Sequence, residues 1–301
     1  MIERRFPPWL KRKAPSPSDL KKMNELFDGL NLHTICVSAG CPNIGECFSR
    51  KTAAFLILGD NCTRRCGFCA VRKGAPLPVN NIEPESLLKA VRTLGLQYVV
   101  ITSVTRDDLE DGGASQFVRV IEILHKEGIV VEVLIPDFCG SHEALTAVVG
   151  SSPHVINHNI ETVPRLYGRV RPGAEYHRSL DLLFYVKQLD PSIITKSGLM
   201  AGLGESRDEV IDVMRDLRKR GCDLLTIGQY LQPSSRHYPV ASFISPERFS
   251  EYKRIGMEIG FASVASSPFV RSSYRASELY ASAVSKNVLL PEAGIPEPLN
   301  P

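Results

Sequence analysis

A chain of 301 residues with 43% apolar and 23% charged residues has the composition of a folded globular protein, which excludes collagen-like and disordered classes. That length suits two average domains or a single α/β barrel. A net charge of +3 is too small to argue for a nucleic-acid surface, and no apolar run approaches the length of a membrane span.

The chain starts Met1-Ile2-Glu3-Arg4-Arg5-Phe6-Pro7-Pro8-Trp9, with an acid and prolines but no apolar stretch. It therefore reads as neither a secretory signal nor a transit peptide, and a cytoplasmic setting is expected. Lys11-Arg12-Lys13, followed by Pro15 and Pro17, reads as a solvated arm or as a contact for an acidic protein partner.

Six of the eight cysteines fall between residues 36 and 69. Cys36, Cys41 and Cys47 are spaced C-x4-C-x5-C, and Cys62, Cys66 and Cys69 are spaced C-x3-C-x2-C. Disulfides need an oxidising compartment, which nothing in the sequence indicates. Structural zinc takes four ligands, usually as pairs spaced by two to four residues, and two triplets fit that pattern poorly. Three thiolates in one tight loop can instead hold three irons of a [4Fe–4S] cluster and leave the fourth iron open. A cluster that only carries electrons normally takes four cysteines, so an open iron points to chemistry on a bound small molecule.

Beyond the cysteines, short β-branched runs alternate with longer amphipathic stretches. Strands are predicted over 53–58, 98–102, 130–135, 155–159, 193–197 and 224–228. Helices are predicted over 84–94, 115–127, 141–149, 178–189, 206–220 and 246–259. Residues 291–298, rich in proline and glutamate, read as a disordered tail.

Repeated β-α units make either an open doubly wound sheet or a barrel. No G-x-G-x-x-G follows the first strand, and Gly202-Leu203-Gly204 alone is weak evidence for phosphate binding. The first strand runs directly into the Cys62 loop, and barrel chemistry collects on loops at the C-terminal ends of strands. Six units are too few to close an eight-stranded barrel, so the expected fold class is α/β, a partial (β/α)6 TIM-type barrel with N- and C-terminal extensions. The expected division is 1–52 for an extension carrying the first cysteine triplet, 53–260 for the barrel and 261–301 for the C-terminal segment.

C-x3-C-x2-C with Phe68 before the last cysteine resembles the signature of the radical S-adenosylmethionine (SAM) enzymes. The two triplets in this order are similar to those of the lipoyl synthase family within that superfamily. So are Asp111-Gly112-Gly113-Ala114, the stretches from Asn157 to Tyr167 and from Lys196 to Glu205, and Arg271-Ser272-Ser273-Tyr274. Arg169-Val170-Arg171-Pro172-Gly173 adds to the match, which covers residues 30 to 280 or so. Ser267 departs from the family, which usually has glycine there.

The resemblance implies a radical SAM enzyme, a sulfurtransferase that inserts two sulfur atoms at C6 and C8 of a protein-bound octanoyl chain. Two [4Fe–4S] clusters and SAM are the implied cofactors. Cys62, Cys66 and Cys69 would ligate the cluster that cleaves SAM, and Phe68 would pack beside the adenine or serve as a plain core aromatic. Cys36, Cys41 and Cys47 would hold an auxiliary cluster that donates sulfur. Its fourth ligand would be a serine, Ser272 or Ser273, with the resemblance favouring Ser273; the same pair also reads as a turn or helix cap. For SAM, Asn159 and Glu161 at the end of the fourth strand and Lys196 and Ser197 at the end of the fifth are nominated, although a strand-end lysine is often merely solvated.

Implied partners are octanoylated lipoyl carrier proteins (2-oxoacid dehydrogenase E2 subunits and the glycine cleavage H protein), with flavodoxin or ferredoxin as electron donor and neither nucleic acid nor membrane. Two other readings stand beside this one. The chain could be another sulfur-inserting radical SAM enzyme. It could also be a two-cluster electron-transfer protein, in which Cys139 and Cys222 would complete two sets of four cysteines; otherwise these two read as inert thiols.

Overall fold

Strands β1 (His33–Thr34), β2 (Ala54–Ile57), β5 (Tyr98–Ser103), β6 (Val130–Leu134), β7 (Val155–Asn157), β8 (Ile194–Ala201), β9 (Leu224–Gln229) and β10 (Ser263–Ser266) form one sheet in that order. This is a computed structural model, and it describes residues 6–12 and 14–287. β1 runs antiparallel to β2 and every other pair is parallel. The two sheet ends do not pair with each other among the described residues, so the barrel is open. A small second sheet joins β3 (Asn61–Cys62) to β4 (Arg72–Lys73).

The crossovers are α4 (Glu83–Leu94), α5 (Ala114–His125), α6 (His142–Gly150), α8 (Tyr176–Leu189), α9 (Arg207–Lys219) and α10 (Pro246–Ile259). Their ends follow local chemistry. Ser206 and Glu209 form a capping box at the start of α9. Ser245 caps α10 with Pro246 in its first turn, and α4 stops at Gly95 in the left-handed region. α1 (Pro17–Gly29), α2 (Ile35–Ser38) and α3 (Ile44–Ser49) precede β2, while α7 (Tyr167–Val170) lies between β7 and α8.

The fold matches the expected partial barrel, with differences that matter for the site. A seventh parallel strand, β10, extends the sheet beyond the six predicted units. The chain then continues into α11 (Ala276–Asn287), whose Leu279 and Ala283 pack on Val155, Ile194 and Leu224. Those three residues open or nearly open β7, β8 and β9, so α11 covers the end of the barrel opposite the cysteine loops. No helix among the described residues is long and apolar enough to cross a membrane. The expected tail over 291–298 lies outside the described residues, as do residues 1–5 and Lys13.

Candidate active site

The Cys62 loop begins where β2 ends, in a turn that needs outside support. Leu58 sits at φ +67°, a conformation L side chains rarely adopt. Buried Glu83 accepts from the Leu58 amide at 3.1 Å, and Arg106 donates to the Leu58 carbonyl at 3.4 Å. The loop is then tied to its neighbours by residues lying between the cysteines. The Thr63 amide and hydroxyl both donate to Thr105 O, at 3.1 and 3.0 Å. Arg64 makes a bidentate pair with Asp107 (2.8 and 2.9 Å) and reaches Asp137 at 2.6 Å. The Gly67 amide donates to Val170 O at 2.8 Å, and its carbonyl accepts from the Tyr238 amide at 2.8 Å.

Burial alone would raise the Asp137 carboxyl, but the Arg64 hydrogen bond outweighs it and holds the group at about 2. Arg64 therefore stands between two carboxylates from the loops after β5 and β6, fixing the height of the cysteine loop over the barrel mouth.

All eight cysteines are free thiols. Burial pushes the Cys66 thiol up to about 11; Arg171 opposes this, while Cys69, Glu161 and Cys62 reinforce it. Burial likewise raises Cys69. Cys66 and Cys69 thus feel the neighbouring thiols, and a metal must displace a proton from both before binding.

In the first triplet, burial raises Cys41 as well, reinforced by Cys36. Cys36 opens α2 under a Thr34 cap, and Cys47 lies on α3. Burial pushes Cys47 up to about 12, reinforced by Cys36, Cys41 and Glu46. One cavity is lined by Cys36, Cys47, Tyr98, Val100, Ser273 and Tyr274. No three His, Cys, Asp or Glu side chains among the described residues converge on a point that could hold a single metal ion. A [4Fe–4S] cluster does not require that, because each thiolate takes its own iron. In each triplet the thiols are close enough to act on one another electrostatically, and three cysteines per site suit such a cluster.

The C-terminal segment reaches the barrel mouth between the triplets. A Cβ on Gly228 would collide with Val270 O, and one on Gly198 would lie 2.6 Å from Asn159 Oδ1 and 2.8 Å from Ser272 Oγ. These glycines leave the space that Val270 and Ser272 occupy. Ser272 donates to Asn159 Oδ1 at 2.8 Å, Asn159 donates to Glu161 at 3.1 Å, and Arg171 donates to Asn159 O at 2.9 Å. Glu161, at φ +66°, is stapled to β8 by bonds to Gly198 O and from Met200 N, both 2.9 Å. Burial raises its carboxyl against Arg171, Asn159 and Arg271.

Glu161 lies near enough to the second triplet for its charge to act on Cys66 and Cys69, and Asn159 is bonded to it. Lys196 and Ser197 are placed differently. β8 continues to Ala201, which leaves both residues in the first half of the strand and fully buried. Lys196 Nζ is paired with Glu132 at 2.8 and 3.0 Å, and that carboxylate also accepts from Tyr98 OH at 2.6 Å. Ser197 donates to His158 O at 2.8 Å and accepts from the Ile160 amide at 3.1 Å. Phe68 is half-buried against the main core.

Arg12, although exposed, is anchored. It donates to Glu46 at 2.8 Å, and its guanidinium lies 4.3 Å from the centre of the Phe269 ring. Arg64, Asp107, Asp137 and Glu46 escape a sequence reading because their charged partners are remote. The only local signal is a charged residue standing between cysteines, as Arg64 and Glu46 do.

Residues 56–217 match the family model of the radical SAM superfamily. A lipoyl synthase of Caldanaerobacter subterraneus subsp. tengcongensis is 57% identical, over 90% of this chain and 96% of its own. One from Alkaliphilus metalliredigens is 54% identical over 91% and 96%, and one from Aquifex aeolicus is 55% identical over 87% and 95%. Among solved structures, a maturase of the [FeFe]-hydrogenase (HydG) superposes with a TM-score of 0.57 at 14% identity, covering 90% of this chain and 67% of its own. Methylornithine synthase (PylB) gives 0.54 at 16% identity, over 78% and 73%. At such identities the structures bear on the fold alone.

Proposed function

The chain belongs to the lipoyl synthase family of the radical SAM superfamily, and from that premise we propose which residues carry the reaction. It is an enzyme, and its family works with SAM and a [4Fe–4S] cluster. Our reading assigns that cluster to Cys62, Cys66 and Cys69, and an auxiliary cluster to Cys36, Cys41, Cys47 and Ser273. The observation that carries the assignment is the shared cavity of Cys36, Cys47 and Ser273, beside a loop whose preceding serine is bonded to Asn159. Bound there, the two clusters would supply an electron for cleaving SAM and sulfide for the octanoyl chain.

The protein's own part is placement. Arg64, Thr63 and Glu83 hold the cysteine loop over the barrel mouth. Asn159 and Glu161, with Arg171 beside them, offer an amide, an acid and a cation to orient the polar end of SAM; Lys196 and Ser197 have no place in this set. α11 covers the opposite end, which leaves the loop side for substrate and keeps water from reaching the radical through the barrel floor. Phe68, on the rim of the loop, is assigned to the adenine.

The substrate is a protein-bound octanoyl group, and the same reading takes the carriers to be E2 subunits and the glycine cleavage H protein. It assigns flavodoxin or ferredoxin as electron donor, a cytoplasmic setting, and the division 1–52, 53–260 and 261–301. A two-cluster electron carrier is not favoured: Cys139 is bonded to Asp107 at 3.1 Å and Cys222 is buried with its thiol on Leu224 O at 3.3 Å, so neither is spare for a cluster. The test is to incubate anaerobically loaded protein with SAM, a strong reductant and an octanoyl-lysyl peptide. Gain of two sulfurs with 5′-deoxyadenosine is expected; 5′-deoxyadenosine with an untouched peptide would overturn the substrate, and neither product would overturn the whole reading.

A further inference from the structure

Glu46 lies inside the first triplet, one residue before Cys47, yet its side chain points to a different part of the chain. Its carboxylate accepts from Arg12 at 2.8 Å, from Tyr274 OH at 2.9 and 3.0 Å, and from Arg275 at 3.0 Å. Burial alone would raise its pKa, but the bonds from Arg12, Arg275 and Tyr274 hold it at about 2. Asn43, three residues earlier, is buried and donates to Phe269 O at 2.7 Å. Arg12 stacks on the same Phe269.

These contacts fasten both ends of residues 269–275 to the segment between Cys41 and Cys47. Between the fastened ends, the Tyr274 amide donates to Arg271 O at 2.9 Å and closes a turn with Ser272 and Ser273 at its centre. Ser272 is taken up by Asn159, and Ser273 faces the cavity of Cys36 and Cys47. A single exposed ion pair contributes little. Glu46 instead gathers three charge-assisted or phenolic donors from two remote segments, and such bonds are the stronger kind.

We infer that Glu46 is the positioning residue for the serine corner of the auxiliary cluster: it clamps Tyr274 and Arg275, with Arg12 as the third arm, so that Ser273 is held at the iron. The inference rests on the ligand assignment above. It has a mechanical consequence. The loop is held by Glu46 and Asn43 rather than by the serine–iron bond, so Ser273 can leave the iron while the loop stays in place.

The test uses the full chain with Cys62, Cys66 and Cys69 replaced by alanine, so that only the auxiliary site can load. Iron release to a chelator and tryptic cleavage after Arg271 and Arg275 are followed anaerobically. Glu46→Gln is expected to load a cluster but release iron about tenfold faster, the scale of losing bonds to a charged group. Cleavage should accelerate alongside. Ser273→Ala should release iron at a similar rate, and the double variant no faster than Ser273→Ala alone, because both changes act through one iron–oxygen contact. Tyr274→Phe, which removes one donor and no charge, should fall between parent and Glu46→Gln.

Parent-like iron release in Glu46→Gln and Tyr274→Phe, even with faster cleavage, overturns the inference, since Glu46 would then be a strut only. Additive effects in the double variant overturn it too. Parent-like release in Ser273→Ala brings down the ligand assignment and the inference with it. That failure is distinguishable because it lies in the serine variant itself.

Discussion

The Ser272 hydroxyl donates to Asn159 Oδ1 at 2.8 Å, which bonds the C-terminal segment to the strand end that also presents Glu161. Under the proposed assignment, adjacent serines serve different sites. Ser272→Ala should weaken SAM binding about fivefold, the worth of one neutral hydrogen bond, and leave auxiliary iron intact. Ser273→Cys should do the reverse, giving a more durable auxiliary cluster and a product carrying one sulfur. Thiolate is a softer donor than alkoxide, so iron is held more tightly. Equilibrium SAM binding and mass spectrometry of the peptide check the pair; unchanged two-sulfur turnover in Ser273→Cys would count against the ligand role.

The buried pair of Lys196 with Glu132 yields a second expectation. Lys196→Met leaves Glu132 charged, buried and short of a partner, at a cost of about 3–5 kcal/mol. Adding Glu132→Gln removes the stranded charge and keeps an acceptor oxygen for Asn157, while the Tyr98 hydroxyl can turn to accept from the new NH2, so most of the loss should return. The double variant should bind SAM like the parent, measured by calorimetry. Weak binding in a double variant of restored stability would return Lys196 to the cofactor site.

These positions also show where sequence reasoning stops. Cysteine spacing is local, so both triplets are legible without a fold. The strand predicted over 193–197 stops just before Gly198, whereas β8 runs on to Ala201. In the fold that glycine is a strand residue without a side chain because Asn159, Ser272 and Thr226 crowd it. The four-residue difference puts Lys196 and Ser197 in the buried first half of β8 rather than at its end. β10, Ser263–Ser266, was invisible because two of its four residues are serine and pairing with β9 makes it a strand. Glu46 was unreadable for another reason: Arg12 and Tyr274 lie 34 and 228 residues away.

The two remaining cysteines separate the enzyme from an electron carrier. Cys139→Ser with Cys222→Ala should leave both clusters in place, read as iron content and electron paramagnetic resonance after reduction. The cost should be modest and thermal, from the small cavity at Cys222, which is 0% exposed. Loss of either cluster would instead make these thiols ligands.

His158 gives the pH dependence its sign. The ring is buried, with Nδ1 2.9 Å from Ile135 O and Nε2 3.0 Å from Ser179 Oγ. Burial, reinforced by Arg171, pushes its pKa from 6.5 down to about 4. The unfolded chain therefore takes up a proton near pH 6.5 that the folded one refuses until about 4. Stability is full above the unfolded value and falls as pH drops through that window, by roughly 3 kcal/mol in total. Asp137 and Glu46, both held at about 2, lose their contributions from their unfolded values of 3.8 and 4.5 downward, so they overlap only the acid end of that window. His125 and His154, lowered by burial, slope the same way, so a variant is needed to isolate His158. In the metal-free chain, where acid has no cluster to destroy, His158→Gln should flatten the stability profile between pH 6.5 and 4. Denaturant midpoints by circular dichroism at successive pH values would show it, and an unchanged slope would mean that the ring is protonated in the fold.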